Sequence, residues 1–167
     1  VIRLNAMPRK EVLAGCEELN IPKNYAELLS FFYGAPELIA EKARGEDADE
    51  LPNLLKNVIE ALAESSQKTA FMFEAKIIPT CSSRAKAAAL IDLLTIVYHE
   101  LVNRASGFEP MLPSYDGLFN RLDISHPDQL REKLNFLLTV KGELDLNVNP
   151  SLLLDHIIIT LTKEESL

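Results

Sequence analysis

Lys141-Gly-Glu-Leu-Asp-Leu-Asn-Val-Asn149-Pro150-Ser-Leu-Leu-Leu-Asp-His-Ile-Ile-Ile-Thr-Leu161 passes from a polar turn into a segment that is apolar almost all round. Asn149 can cap a helix, and Pro150 fits its first turn, where no backbone donor is needed. Beyond it, Leu152, Leu153, Leu154, Ile157, Ile158, Ile159 and Leu161 cover far more than the single stripe of a surface helix. Such a helix must sit in the middle of something, either its own bundle or an oligomer. Assembly is therefore the first question this chain raises, ahead of catalysis. Asn149, Leu153, Leu154 and Ile157 are the expected subunit-interface residues.

Upstream, helical spacing and breakers divide the rest of the chain. Residues 8–20 read as a helix with Val12, Leu13, Cys16 and Leu19 as its apolar positions. Asn24 is expected to cap a second helix over 25–33, with Leu28, Leu29, Phe31 and Phe32 facing inward and Gly34 ending it. Ala35-Pro36 starts a third helix to about residue 43. The charged stretch 44–50 is the expected boundary, giving a small unit over 1–45 and a larger one over 46–167. Helices are expected over about 48–65, 67–78 (before Pro79) and 83–105. Pro110, Pro113 and Gly117 mark a loop, with Leu118-Phe119 in a short helix. Ser125-His126-Pro127-Asp128 reads as the cap of a helix over about 127–144. The only strand signal is the alternation Val1-Ile-Arg-Leu4. A strand cannot stand alone, so these residues read as the edge of a larger protein and the chain as its C-terminal portion. The expected fold is all-α, a three-helix lid-like unit followed by a helical bundle.

Composition narrows the function classes. At 167 residues and 47% hydrophobic, the chain can build a substantial core, and no apolar run approaches the roughly 20 residues of a membrane span. Its net charge of −8 is the wrong sign for a self-sufficient nucleic-acid binder. Cys16 and Cys81 lie far apart and read as free buried thiols of a cytosolic protein. His99, His126 and His156 have no metal-ligand spacing, so no metal is expected.

Catalytic patterns are missing from the sequence. The six glycines form no phosphate loop. Asp155 and His156 are adjacent, and neighbours on a helix do not face each other; His156 reads as a core or interface residue. Tyr98, Phe71 and Phe73 are expected inside the bundle. Lys56, Lys68, Lys76, Arg84, Lys86 and Arg104 are interleaved with Glu60, Glu64, Glu74, Asp92 and Glu100. They read as a solvated face rather than as a DNA-backbone surface.

The order of elements resembles a known family. Val1 through Leu13 resembles the exit from an AAA+ core in bacterial clamp-loader subunits, where a strand passes through a polar-proline turn into the first lid helix. Leu29-Ser-Phe-Phe-Tyr-Gly34-Ala-Pro36-Glu-Leu-Ile-Ala40 resembles the lid segment, usually of the type Ser-x-Gly-Ser-Pro-x-x-Ala. Residues 134–161 look like the last two collar helices of the delta-prime type of DNA polymerase III subunit. The resemblance implies an AAA+ lid over 1–45 and a collar over 46–167. Such a collar joins the loader subunits (delta, tau/gamma) in a ring that opens the sliding clamp and places it on primed DNA. DNA contact and clamp contact would come through that assembly, in the cytoplasm, with no membrane partner. One departure matters: active lids carry a Gly-x-x-Arg sensor for nucleotide phosphate, and Gly34-Ala35-Pro36-Glu37 offers glutamate. A carboxylate there repels phosphate, which favours a subunit that does not hydrolyse ATP over the tau/gamma type. No catalytic residue and no cofactor are therefore expected on this chain. The alternatives are a tau/gamma collar, or an unrelated free-standing helical enzyme or regulator.

Overall fold

In the computed structural model, residues 7–163 are described, and among them all regular structure is helical. The strand expected over residues 1–4 lies outside the described residues. The chain forms two compact units, Val1–Asn53 with Met111–Asp116, and Leu54–Pro110 with Gly117–Leu167. The expected division after residue 45 falls in a short turn, whereas the boundary between the units falls after Asn53, inside a helix. The first unit also takes in a segment from far along the chain.

The first unit contains α1 (Arg9–Glu18), α2 (Lys23–Leu29) and α3 (Pro36–Arg44), each packed on the other two. Val12, Cys16, Ile21, Ala26, Leu29, Ile39 and Ala40 form its core, with Leu13, Leu19, Tyr25, Tyr33, Ala43 and Leu51 packed against them. Gly15 lets α1 and α3 approach: a Cβ there would overlap the buried Pro36 ring. Asn20 ends α1 in the left-handed region (φ 56°), and Ile21 N donates to Cys16 O at 3.0 Å. This is the Schellman arrangement, with an asparagine where glycine is commoner.

Two expectations for α2 fail. The helix starts at Lys23 after Pro22, so Asn24 lies inside it and caps nothing. It ends at Leu29 rather than Tyr33, and Gly34 is not a positive-φ residue. The four residues after α2 instead close a turn, with Tyr33 N donating to Leu29 O at 2.9 Å. Phe31 and Phe32 are half-buried, and the Arg9 guanidinium lies over the Phe31 ring at 4.3 Å.

The second unit is organised on α6 (Arg84–Ala105). Ser83 caps it by accepting from Lys86 N at 3.2 Å. Gly107 closes it with φ 76°, and Phe108 N bonds to Asn103 O at 3.0 Å. Leu90, Ile91, Leu93, Leu94, Val97, Tyr98 and Leu101 are buried along it. Against α6 pack α8 (Pro127–Val140) and α9 (Pro150–Thr162), and α5 (Ser66–Met72) packs on α9. α4 (Glu50–Leu62) buries Leu55, Val58, Ile59 and Ala61, and the short α7 (Asp116–Phe119) buries Phe119.

Local departures from the sequence expectation have identifiable causes. The helix expected over 67–78 becomes α5, one π turn (Phe73–Ile77) and one 3-10 turn (Ile78–Cys81). Pro79 removes a donor from the ladder, which cannot continue in α register across it. Thr80 Oγ1 takes up the Ile77 carbonyl instead, at 2.7 Å. Similarly, α8 ends at Val140, and Lys141–Leu146 tightens into 3-10 geometry before Asn147 turns left-handed at φ 66°. Arg84 fixes that turn by donating to the Leu144 and Val148 carbonyls, and Lys141 pairs with Asp92. At the start of α8, His126 provides no side-chain cap; Asp123 accepts from Ser125 N at 2.8 Å one turn earlier.

Candidate functional site

The terminal helix that dominates the sequence has two distinct faces. Asn149 Oδ1 accepts from Ser151 N at 3.0 Å and Leu152 N at 3.3 Å, so the expected cap is formed. Leu153, Leu154, Ile157, Ile158 and Leu161 point into the chain and are almost fully buried. Leu152 and Ile159 face outward, at 66% and 62% exposure, with exposed His156 between them at helical spacing. Three of the four expected interface residues, Leu153, Leu154 and Ile157, are thus occupied by the fold itself, and Asn149 by capping. The apolar residues left for another molecule on α9 are Leu152 and Ile159. The sequence pattern grouped these with the core because every apolar position of an all-round apolar helix looks alike.

His156 meets the Phe136 ring edge-to-face, with centroids 5.8 Å apart, which links the outward face of α9 to α8. An open depression of about 510 Å³ adjoins it, lined by Gln129, Glu132, Lys133, Phe136, Thr160 and Lys163 among others. Exposed His156 and half-buried Phe136 thus form an aromatic surface bordered by polar side chains. Phe71, expected inside the bundle, is instead 66% exposed on α5, while Phe73 and Tyr98 are buried as expected. Burial also drives the Tyr98 phenol well above its ordinary range.

The basic residues of the middle helices are mostly engaged. Lys56 pairs with Glu60 at 3.9 Å and Lys68 with Glu64 at 3.5 Å. Arg104 pairs with fully buried Glu100 at 2.9 Å and lies 4.9 Å from the centre of the Phe119 ring. Arg84 is committed to backbone carbonyls. Alternating pairs of this kind neutralise their own charge and leave little net field for a phosphate backbone.

In the first unit, Glu37 is exposed in the first turn of α3. Burial, and then the Glu37 carboxylate, push the Cys16 thiol above its ordinary value, so this cysteine stays protonated and unreactive. Cys16 and Cys81 are both buried thiols outside any disulfide, as expected. Among the described residues no group of three or more His, Cys, Asp or Glu side chains could hold a metal ion.

No protein-family model, characterised protein or solved structure matches the chain. Any functional reading therefore rests on the residues themselves.

A second polar cluster, in the first unit, has no local signature in the sequence. Glu27 is only 8% exposed, and its two carboxylate oxygens accept from Ser114 N and Ser114 Oγ, both at 2.9 Å. Arg9 donates to the carbonyls of Glu27 and Met111 at 2.9 Å and, through Nε, to Ser30 Oγ at 2.9 Å. Tyr115 Oη donates to Asn24 O at 3.0 Å. Burial, followed by the Glu27 carboxylate and then Tyr25, pushes the Tyr115 phenol up to about 12. The bonds to Met111, Ser114 and Tyr115 span 87 to 102 residues of sequence, which is why no local pattern announces them.

Proposed function

We propose that this chain is the lid and collar portion of a delta-prime-type subunit of the DNA polymerase III clamp loader. In this reading it is an assembly module that helps hold the loader subunits together while the sliding clamp is placed on primed DNA. The observation that supports it is the division of α9. One face is fully used by the bundle, and the opposite face keeps Leu152 and Ile159 exposed beside His156 and Phe136. Large apolar side chains held on a rigid helix with a polar rim suit a subunit contact better than a reaction centre. The order of helices and the segment Gly34-Ala35-Pro36-Glu37 are consistent with the same reading.

The partners in this reading are the delta and tau/gamma subunits, met through the collar. Clamp and DNA are reached through the assembled complex, in the cytoplasm. No described helix is long and apolar enough to cross a membrane. The fragment itself is not an enzyme in this proposal and takes no cofactor, because Glu37 places a carboxylate where a phosphate would need a cation. The chain should neither hydrolyse ATP nor gain stability from it. A nucleotide-dependent rise in melting temperature would count against the proposal. The direct test is co-purification with delta and tau/gamma subunits, which is expected for the native chain and should be lost on placing aspartate at Leu152 and Ile159.

A further inference from the structure

The segment Met111–Asp116 is held in the first unit in the manner of a bound peptide. Leu112 and Tyr115 are buried, while Pro113 and Ser114 lie exposed between them. The first unit meets polar groups of Met111, Ser114 and Tyr115 with polar atoms of its own. The Glu27 carboxylate takes both the backbone N–H and the hydroxyl of Ser114. Arg9 takes the Met111 carbonyl, and the Asn24 carbonyl takes the Tyr115 phenol. Pro113 opens the 3-10 turn Pro113–Tyr115 with φ restricted by its ring, which lowers the entropy lost on docking.

We propose that the α1–α2 face bearing Arg9, Asn24 and Glu27 is a docking site for a Pro-Ser-Tyr peptide segment, filled here by the chain's own residues Met111–Asp116. The site reads three things. A carboxylate accepting two donors from one residue selects a hydroxyl side chain on a free backbone N–H. The Asn24 carbonyl, accepting from the buried Tyr115 hydroxyl, selects a phenol over a phenyl group. Arg9 fixes the direction of the peptide through a carbonyl. Negative charge at the serine position would face Glu27 directly and vacate the site. This inference does not depend on the clamp-loader reading.

The test uses the full chain and a synthetic peptide of residues 108–118. Ser114→Asp should release the internal segment, seen as faster amide exchange across 111–116 with α6 exchange unchanged. The vacated site should then bind the free peptide. Taking an effective concentration of roughly millimolar for a segment of the same chain, docking about tenfold more often than release implies a peptide Kd of roughly 0.1 mM or tighter. The native chain should bind the peptide at least about tenfold more weakly, because its site is filled. In the double variant Ser114→Asp with Glu27→Lys, the internal segment should regain protection and peptide binding should disappear. Ser114→Ala, a milder change, should give intermediate exchange, so the proposal remains testable even if Ser114→Asp unfolds the first unit. Unchanged exchange in both single variants would overturn the proposal, as would a released segment whose site ignores the free peptide.

Discussion

The first and second units reach stability by different routes. The first has a small apolar cluster around Cys16, Leu29 and Ile39, and adds a polar network in which Glu27, Arg9 and Asn24 hold a distant segment. The second is organised on one long helix whose buried leucines and isoleucines are matched by the inner face of α9. Apolar packing is non-directional and tolerates some rearrangement, whereas a buried carboxylate is stable only while its donors stay in place. Damage to the second unit should therefore scale with the volume removed. Damage to the first should depend on which bond is cut.

The largest effect is expected in the second unit. Leu154→Ala removes a fully buried side chain and should cost about 2–5 kcal/mol in urea or thermal unfolding. A loss below about 0.5 kcal/mol would mean that α9 is not part of the core.

A smaller and more local loss is expected in the first unit. Glu27→Ala leaves the Ser114 donors without their acceptor and should cost about 1–3 kcal/mol. Hydrogen exchange should show that loss concentrated in α2 and residues 111–116. If exchange rises equally in α6, the two units do not differ in the way described.

Alkaline titration gives a finer test. Burial, and then the Glu27 carboxylate and Tyr25, push the Tyr115 phenol up to about 12 in the folded chain, above its ordinary value of 10. Its contribution is complete below pH 10, where both folded and unfolded chains keep the proton. The contribution is lost as pH rises from 10 towards 12, because the unfolded chain releases that proton first. Residues 111–116 should lose exchange protection over that window. Tyr115→Phe should remove that local pH dependence, leaving the contribution of buried Tyr98 in the second unit.

Much of the fold was legible in sequence because its signals are local. Asn149-Pro150 and Ser83 announce helix starts, and the spacing of Leu90, Leu94, Val97 and Leu101 gives α6. Other features depend on contacts that local patterns do not carry. Asn24 looks like a cap, but the chain turns into α2 one residue earlier, after Pro22. Phe71 matches the apolar periodicity yet faces solvent, since periodicity identifies a face without saying what covers it. The partner of Glu27 lies 87 residues away in a proline-rich stretch that reads as an ordinary loop. For α9, the sequence showed that the helix is too apolar for a simple surface position. It could not divide Leu153, Leu154 and Ile157, which serve the fold, from Leu152 and Ile159, which remain available.

That division is also the most direct test of the proposed assembly role. The double variant Leu152→Asp with Ile159→Asp should keep the native melting temperature within a few degrees, since both side chains are exposed. Its co-purification with delta and tau/gamma subunits, measured beside the native chain, is the deciding experiment. The native chain is expected to be retained and the double variant lost. Equal retention of both chains, or no retention of the native chain, would contradict it.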